Sequence, residues 1–260
     1  MIIPKLIGGL CNQMFQIAAG YSLSLKLGTT FAINYDLFQQ GTQGSIPSTY
    51  RNTIYRNIAS TTHTPKTYWH TPYWQYTPLP EIKSLFYSGY FQSEKYFLAH
   101  KEQVKKLFTF PETIINEVKS VTDKIKTPIV GIHVRGGDYN RLPSFHVKCD
   151  TSYYQKSINL LPYEKATYII CTDDPETATS RMSFLGEDFR LSNFTDELAD
   201  LYFLTQCDSI IMCNSSFSWW GAYFGPQKDM IICPSTWFGP SGPNPHDDIY
   251  CDGWNKVSNN

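Results

Sequence analysis

Short apolar runs and helical apolar patterns alternate along the second half of the chain. Runs bounded by glycine, proline or charged residues predict strands at 128–135, 167–172, 188–191, 209–214 and 230–233. The stretches between them place apolar residues at helical spacing and predict helices near 152–161, 175–184, 195–206 and 216–224. Strands and helices that alternate at these lengths form βαβ units around a parallel sheet. The pattern therefore predicts an α/β fold with a Rossmann-like domain in this half.

The amino-terminal residues follow a similar order. Residues 2–6 are apolar, a glycine pair interrupts the run, and Asn12 is placed to cap a helix that ends at Gly28. Residues 31–33 then predict a second strand. We therefore expect a smaller α/β domain at this end of the chain.

Residues 36–80 have a different character. They are rich in Thr, Pro, Tyr, Gln and Trp and show little periodicity, which predicts a long loop region with aromatic side chains. Loops of this kind often bind ligands. Order resumes at Gly89, where the segment GYFQSEKYFLAH offers Ser93 as a helix cap. The two predicted domains are 1–110 and 111–260, with a cleft between them.

The composition is that of a globular protein with no evident affinity for nucleic acid. Hydrophobic residues make up 42% of the chain, and the formal net charge of -1 gives no support for nucleic acid binding or a polybasic membrane patch. No apolar run is long enough to span a membrane, and the first residues do not form a signal peptide. The seven cysteines, an odd number without a CxxC pair, are typical of a reduced protein. We therefore predict a cytoplasmic location.

The strand predicted at 128–135 ends in the motif GIHVRGGDYN, which has the composition of an anion-binding loop. Arg135 offers a planar fork that suits two phosphate oxygens, and Gly136 and Gly137 allow backbone amides to come close to a ligand. Asp138 could orient Arg135, cap the next segment or act as a base. The alternative is an arginine–aspartate pair that braces an ordinary turn.

The sequence GGLCNQMF is a glycine turn that opens a helix. Amide groups at a helix start, together with the helix dipole, favour a phosphate. The motif matches neither the dinucleotide fingerprint G-x-G-x-x-G nor the P-loop, so its residues alone indicate an anion site only weakly. The residues that would form this site are Gly8, Gly9, Leu10, Cys11 and Asn12.

Acidic residues follow the strand at 167–172 in the sequence CTDDP. Asp173 or Asp174 is placed to face a ligand at the carboxyl end of that strand. The alternative is that the acid caps a helix that begins with Pro175.

The last candidates lie around the strand predicted at 209–214. That strand ends in Asn214, Ser215 and Ser216, whose amides and hydroxyls at a helix start suit a phosphate. Asp200 lies on an otherwise apolar helix, and a carboxylate is the natural partner of the N1–H and N2–H₂ donors of guanine. The alternative for Asp200 is a plain surface position on its helix.

Motifs of several other reaction classes are missing from the sequence. No D-x-D pair is present to hold a metal ion on a nucleotide-sugar, and neither H-E-x-x-H nor G-x-S-x-G occurs. Nothing indicates a flavin or nicotinamide site. We expect no cofactor and no metal requirement.

Taken in this order, the motifs resemble glycosyltransferase family 11, the bacterial-type α-1,2-fucosyltransferases. The resemblance extends over nearly the whole chain, from GGLCNQMFQIAAGYSLSLKLG through GYFQSEKYF and HVRGGDY to TDDP, NSSFSWWGA and CPSTWF. It implies a GT-B-like architecture of two Rossmann-type domains, GDP-fucose as the donor, inversion at the fucose anomeric carbon and no metal. It also implies a galactose-terminated glycan as the acceptor.

The resemblance implies roles for individual residues. In related fucosyltransferases the histidine and the first arginine of HxRRGDY contact guanine and diphosphate, which assigns these roles to His133 and Arg135. The helix aspartate that binds guanine there resembles Asp200, and the hydroxyl pair resembles Ser215 and Ser216. The nucleotide-binding residues expected from motifs and resemblance together are Gly8, Gly9, Leu10, Cys11, Asn12, His133, Arg135, Asp173, Asp200, Asn214, Ser215 and Ser216.

Two positions depart from the family pattern. The pattern usually reads HxRRGDY, where this chain has Gly136 in place of the second arginine, and GGLGNQ, where it has Cys11. Arg135 alone would therefore hold the diphosphate. We expect Gly136→Arg to be tolerated, because the related motif accommodates arginine at this position.

The implied reaction is transfer of L-fucose from GDP-fucose to O2 of a galactose. Arg135 neutralises the charge that grows on the β-phosphate, and a base takes the proton of the acceptor hydroxyl. Asp138 is the nearest candidate for this base, with Asp36 and Glu94 behind it. Two alternatives stay open: a transferase that uses another acceptor position or another GDP-sugar, and a non-catalytic binder of a nucleotide or glycan.

Overall fold

The computed structural model describes residues 1–37, 46–194 and 196–259, with Asp138 and Asn140 described by their backbone alone. The chain forms two compact units. Unit 1 comprises Met1–Pro111 and Asn244–Cys251, and unit 2 comprises Glu112–Pro243 and Asp252–Asn260. Both units contain a parallel sheet with helices, which confirms the predicted α/β class.

Unit 1 is built on a small parallel sheet. Its elements are β1 (Ile2–Pro4), α1 (Leu10–Leu27), β2 (Tyr68–His70), β3 (Leu85–Ser88) and α2 (Lys101–Leu107). The strand order is β1-β3-β2, and both pairings are parallel. The strand predicted at 31–33 is reduced to two isolated bridges, Phe31 to Ile2 and Ile33 to Ser60. Three aligned strands therefore end at one edge of unit 1, followed by the loops that begin at Lys5, Thr71 and Gly89.

Helix α1 differs from the prediction at its first residue. Gly9, not Asn12, occupies the cap position, and Asn12 lies inside the first turn of the helix. The predicted end is confirmed: Gly28 adopts the left-handed conformation, with φ 58°, that a helix commonly needs to stop. The helix is buried along most of its length, so it forms the core of unit 1.

The segment predicted as a long loop is partly ordered into the sheet. Strand β2 lies within residues 36–80, and two of its three residues are exposed. The predicted cap further along is confirmed, because the Ser93 side chain accepts a hydrogen bond from the Lys95 amide at 3.3 Å. Ser93 caps a short 3₁₀ turn, Glu94–Tyr96.

The carboxyl-terminal region returns to unit 1 before the chain ends. The Asp248 carboxylate accepts a hydrogen bond from the Tyr76 amide at 2.7 Å and pairs with Lys95. Residues Asn244–Cys251 therefore pack in unit 1, although the sequence analysis assigned all of 111–260 to one domain. The pattern of the sequence gives no sign of this return, because it depends on one ion pair and one amide.

Unit 2 contains a six-stranded sheet in which all pairings are parallel. Its strands are β4 (Ile129–Val134), β5 (Thr167–Thr172), β6 (Phe189–Leu191), β7 (Ser209–Ile211), β8 (Met230–Pro234) and β9 (Asn255–Val257). Its helices are α3 (Glu112–Thr122), α4 (Gly137–Arg141), α5 (Thr151–Ile158), α6 (Pro175–Met182), α7 (Glu197–Gln206) and α8 (Ser216–Tyr223). All five strands and four helices predicted for this half are present. Strand β5 has its predicted bounds, and the ends of the other predicted elements differ from the prediction by at most three residues. Helices α3 and α4 and strand β9 were not predicted.

The strand order places a ligand-binding position in unit 2. Along the sheet the order is β6-β5-β4-β7-β8-β9, the 3-2-1-4-5-6 order of a Rossmann fold. The direction of winding reverses between β4 and β7, and such sheets bind ligands beyond the carboxyl ends of the strands at this switch point. The residues that follow β4 and β7 are therefore the first candidates for a functional site.

Two consecutive tyrosines of α5 fix the ends of these two strands. The Tyr153 hydroxyl donates to the carbonyl of Met212 at 2.6 Å, and the Tyr154 hydroxyl donates to the carbonyl of His133 at 2.9 Å. Both side chains are fully buried. Because buried carbonyls need a partner, the two hydroxyls satisfy the backbone where the ladder stops and hold both strand ends in place.

All seven cysteines are free thiols. Six are buried and pack as small apolar side chains. Within the described residues, no helix combines the length and the apolar character that crossing a membrane requires.

Candidate functional site

Arg135 lies directly after β4 at the switch point, and its guanidinium is held by an acid from the neighbouring strand. Arg135 Nη1 lies 3.1 Å from Oδ2 of Asp173, which follows β5. The other carboxylate oxygen, Oδ1, accepts the Gly136 amide at 3.0 Å. The Arg135 side chain is 34% exposed, so it is partly open to solvent at the edge where a ligand is expected.

The two acids of the CTDDP motif have different tasks. Asp173 orients Arg135, whereas Asp174 caps α6 by accepting from the Thr177 amide at 3.0 Å. Hydrogen bonds from Thr177 hold the pKa of Asp174 below its usual value. The cap that the sequence analysis weighed as an alternative is therefore present, at Asp174, with Pro175 in the first turn of the helix. The side chain of Asp138, the first candidate for the base, lies outside the described residues.

Gly136 sits against Asp174, which overturns the expected tolerance for arginine. The Gly136 backbone has φ -115° and ψ -87°, so the sign of φ alone would not demand glycine. However, a Cβ at this position would lie 2.7 Å from Cγ of Asp174 and closer still to its Cβ and Oδ2. Asp174 cannot swing away freely, because its carboxylate caps α6. The expectation that Gly136→Arg is tolerated is therefore wrong in this loop.

We expect Gly136→Ala to lower the melting temperature, because even one methyl group displaces the α6 cap. Overpacking of this kind costs about 1–3 kcal/mol. Gly9→Ala is the matched control, since a Cβ there meets nothing within 4 Å. Thermal unfolding of both variants checks the prediction, and a Gly136→Ala protein as stable as the parent would show that the Asp174 cap can move.

His133 is a buried, neutral imidazole at the end of β4. It is 4% exposed, its Nδ1 lies 3.2 Å from Cys213 Sγ, and its ring centroid lies 5.1 Å from that of Phe217. Burial, assisted by the charge of Arg135, lowers the pKa of His133 to about 3. Burial raises the pKa of the Cys213 thiol to about 12, so this partner is also neutral. Near neutral pH, His133 can therefore donate or accept a hydrogen bond without adding a charge.

Asp200 lies on the same side of the sheet as His133. It occupies the first turn of α7, and its carboxylate accepts a hydrogen bond from the Ser192 hydroxyl. Cys171, whose sulfur lies 4.0 Å from the Asp200 carbonyl, is the ladder partner of His133 on β5. Side chains that are paired across a parallel ladder point to the same face. The two residues expected to read guanine therefore share one face of unit 2, at its carboxyl edge.

Burial makes Asp200 an unusual acid. Desolvation raises its pKa above the ordinary value, and the hydrogen bond from Ser192 opposes that shift. A carboxylate with few partners inside the protein is suited to accept the N–H donors of a ligand.

The residues after β7 are held mainly by the fold. Asn214 is 2% exposed, and its Nδ2 donates to the Trp237 carbonyl at 2.8 Å. Ser215 caps α8 by accepting from the Phe217 amide at 3.3 Å, and Ser216 is the first residue of that helix. The side chains of Asn214 and Ser215 therefore shape the turn. The part of this segment best placed for an anion is the amino terminus of α8, where Ser216 and Phe217 are partly exposed and the rest of the helix is buried.

The glycine loop of unit 1 is rigid. Gly8 has φ 78°, and a Cβ on it would lie 2.6 Å from Nδ2 of Asn12. The Gln16 side chain holds the backbone of Ile7, the residue before Gly8. It accepts a hydrogen bond from the Ile7 amide at 2.9 Å and donates one to the Ile7 carbonyl at 3.0 Å. The Leu10 and Cys11 side chains are buried, so only their backbone amides can reach a ligand.

Several residues of these two regions escaped the sequence analysis. Phe217 stands in the quoted segment NSSFSWWGA, yet nothing in its spacing shows that it packs on His133. Ser192 and Gln92 were missed because no motif marks their hydrogen bonds to Asp200 and Asn12, respectively.

Comparison with solved structures shows the same fold in fucosyltransferases. The α-1,6-fucosyltransferase NodZ, solved with GDP, aligns with a TM-score of 0.55 over 86% of this chain and 92% of its own, at 13% identity. POFUT1 in complex with GDP aligns with a TM-score of 0.51 over 88% of this chain and 96% of its own, also at 13% identity. At such identities the likeness shows the fold alone, and it confirms the GT-B-like fold class.

Relatives found by sequence share a higher identity with this chain than these solved structures do. An α-1,2-colitosyltransferase of Escherichia coli is 27% identical over 92% of both chains. The human galactoside α-(1,2)-fucosyltransferase 1 is 24% identical over 57% of this chain and 45% of its own. The model of glycosyl transferase family 11 matches residues 5–258. A match over nearly the whole length shows that the chain belongs to glycosyl transferase family 11.

Proposed function

We propose that the chain transfers L-fucose from GDP-fucose to O2 of a terminal galactose and forms an α-1,2 linkage. Membership of glycosyl transferase family 11 supports a glycosyl transfer. The names of the relatives support an α-1,2 linkage, and the neighbours solved with GDP and GDP-fucose support the nucleotide. The observation that carries the proposal is the partly exposed Arg135 at the switch point, with His133 and Asp200 at the same sheet edge.

The donor nucleotide would be bound by chemically distinct groups of unit 2. The Asp200 carboxylate would accept N1–H and N2–H₂ of guanine, a pattern that adenine and uracil do not offer. His133 would complete the base contact as a neutral hydrogen-bonding group. Arg135, held by Asp173, would bind the diphosphate through hydrogen bonds from its planar guanidinium.

The reaction would be a single inverting displacement. The acceptor oxygen forms a bond to the fucose anomeric carbon while the bond from that carbon to the β-phosphate oxygen breaks, and GDP leaves with the electron pair. Arg135 stabilises the negative charge that develops on the leaving phosphate. The acceptor hydroxyl gives its proton to a base, for which Asp138 stays our first candidate, followed by Asp36 and Glu94. Asp36 is exposed and Glu94 partly exposed.

A second donor is favoured by one of the relatives. Because the relative at 27% identity is named a colitosyltransferase, transfer of colitose from its GDP form is the second candidate. The residues placed at the guanine and diphosphate positions would serve either donor, since neither contact involves the sugar.

The test is to incubate the intact chain with GDP-fucose or GDP-colitose and a panel of β-galactosides, and to measure GDP release and product linkage. We expect release that depends on both GDP-fucose and the galactoside, with a product linked through O2. Faster transfer from GDP-colitose would identify GDP-colitose, in place of GDP-fucose, as the donor. GDP binding without any acceptor-dependent release would identify a non-catalytic binder and end the transferase proposal.

We expect transfer to continue in excess EDTA, because Arg135 supplies positive charge at the proposed phosphate position. Within the described residues, no group of three or more His, Cys, Asp or Glu side chains is arranged to hold a metal ion. The measurement is the initial rate with EDTA, and again after addition of Mn²⁺ or Mg²⁺. A rate that falls in EDTA and returns with either metal would contradict the prediction.

A further inference from the structure

Unit 1 contains a buried amide with one unsatisfied end. Gln92 is 8% exposed, and its Nε2 donates to Oδ1 of Asn12 at 2.7 Å. Its Oε1 is buried and has no hydrogen-bond partner. An unsatisfied buried acceptor destabilises the fold, and such atoms are uncommon enough to call for an explanation.

Gln13 and Gln16, two other buried glutamines among the described residues of unit 1, show how the fold satisfies this group. Gln13 donates to the Gly8 carbonyl at 2.9 Å and accepts from the Tyr55 hydroxyl at 3.2 Å. Gln16 is bonded through both ends to Ile7. Those two side chains hold the backbone of the glycine loop, whereas Oε1 of Gln92 accepts no hydrogen bond.

Gln92 is held in place by a strained residue. Phe91 before it has φ 55°, the left-handed region that bulky residues rarely adopt. The Phe91 ring is buried, with ring centroids 5.3 Å from Tyr87 and 5.1 Å from Tyr96. Strain of this kind tends to be found at functional positions. The packing of Phe91 fixes the direction in which the chain carries the next side chain.

A pair of stacked aromatic rings belongs to the same edge of the sheet. Tyr90 follows β3, and Trp74 lies in the loop that follows the neighbouring strand β2. Their ring centroids lie 4.2 Å apart with planes 16° apart, and both side chains are partly exposed. The carboxyl edge of a parallel sheet is where ligands bind in such folds. Trp74, Tyr90 and Gln92 are therefore treated together as the aromatic–amide edge.

The chemistry of this edge limits what it can bind. An unsatisfied oxygen needs a donor, which a sugar hydroxyl supplies and an ionised phosphate or carboxylate does not. A hydroxyl both donates and accepts, so it would also satisfy the Gln92 side chain if the amide oxygen and nitrogen were assigned the other way round. Tyrosine and tryptophan combine an apolar ring with a polar group, which suits the apolar C–H face and polar rim of a sugar ring.

We propose that the aromatic–amide edge binds a neutral sugar ring, with one hydroxyl donated to Gln92 and the C–H face against the Trp74–Tyr90 pair. The inference rests on the proposed function, which supplies two sugars: the galactoside acceptor and the fucose of the donor. The acceptor is the first expectation, because Trp74, Tyr90 and Gln92 themselves carry no charge that would pair with a nucleotide phosphate. The chemistry is the same for both sugars, so the experiment must separate them.

The experiment measures sugar binding without turnover. Saturation-transfer NMR is recorded with lactose and, separately, with free L-fucose for the parent, Gln92→Met and Gln103→Met. Gln103 is an exposed glutamine on α2 and controls for the same substitution. We expect saturation of lactose in the parent and in Gln103→Met, and a loss of at least severalfold in Gln92→Met. Saturation of L-fucose in place of lactose would assign the edge to the donor sugar.

Kinetic constants provide the second measurement. Gln92→Met should raise the KM of the galactoside by about three- to tenfold, the effect of about one lost hydrogen bond. If Gln92→Met fails to fold, Trp74→Leu takes its place, because it removes the aromatic surface and leaves the amide intact.

The outcomes separate this inference from the proposed function. Sugar saturation that depends on Gln92, without any transfer, would keep the sugar site and end the transferase proposal. Transfer with the galactoside KM, donor KM and sugar saturation all unchanged in Gln92→Met would overturn the sugar site and leave the transferase proposal standing. No saturation of either sugar in the parent would also overturn the sugar site.

Discussion

Asp200→Asn should bind GDP about a hundredfold more weakly than the parent and lose the preference for GDP over ADP and UDP. In the proposed site the carboxylate would accept two donors of guanine, and hydrogen bonds to a charged group contribute about 1.5–3 kcal/mol each. An asparagine keeps the shape of the side chain and can still accept a hydrogen bond from Ser192. However, its amide nitrogen is a donor, so it cannot accept one of the two guanine N–H groups. The measurement is the dissociation constant of each nucleotide by calorimetry.

The same substitution should leave the free protein at least as stable as the parent. Burial raises the pKa of Asp200, so the charged form is the one that the folded state disfavours. Removing that charge at neutral pH therefore relieves a cost. Asp188→Asn, an exposed aspartate of unit 2, is the matched control and should change neither stability nor nucleotide preference. Equal melting-temperature shifts of the parent with GDP, ADP and UDP would contradict the guanine assignment.

The pH dependence has a defined sign. As the pH falls through the raised pKa of Asp200, the carboxylate gains a proton and loses its capacity to accept both guanine donors. GDP binding should therefore weaken at a higher pH than an ordinary aspartate would cause. The folded state of the free protein binds this proton more tightly than the unfolded state, so the contribution of Asp200 to stability rises as the pH falls. Asp200→Asn should remove this part of the pH profile.

Arg135→Lys should reduce kcat by about 10²–10³, or about 3–4 kcal/mol, while GDP affinity falls less. Lysine keeps the positive charge but loses the planar fork that can contact two phosphate oxygens and Asp173 together. The guanine contacts of the ground state do not involve this side chain. The difference between the loss in kcat and the loss in GDP affinity measures how far Arg135 acts on the leaving phosphate in the transition state.

Arg190→Lys is the matched control, since Arg190 is an exposed arginine on β6. It should leave both constants as in the parent. An Arg135→Lys enzyme with kcat close to that of the parent would remove Arg135 from the chemical step. Equal losses in kcat and GDP affinity would limit it to ground-state binding.

The sequence predicted the sheet of unit 2 well because its central strands are buried on both faces. Strand β4 is buried at all six positions and reads as an unbroken apolar run. Strands β2 and β9 were missed because they are edge strands with exposed residues, so no apolar pattern marks them. Helix α3 was missed although its apolar positions have helical spacing, because only Ile114 and Val118 are buried.

The candidate site was predictable in place but not in its contacts. The motifs put Arg135 and Asp200 at a sheet edge, since loops that follow parallel strands share one edge. The partner of Arg135 was harder to predict, because Asp173 is 38 residues away along the chain and adjacent only through the ladder of β4 and β5. The obstruction at Gly136 and the unsatisfied Gln92 depend on packing at the scale of one atom, which a sequence pattern does not record.

A crystal structure of the intact chain with GDP tests the central claim most directly. We expect guanine at the carboxyl edge of unit 2, with N1 and N2 at hydrogen-bond distance, about 2.7–3.2 Å, from the Asp200 carboxylate. The diphosphate should lie against the guanidinium of Arg135. Guanine bound away from Asp200 and His133, or a diphosphate that does not contact Arg135, would contradict it.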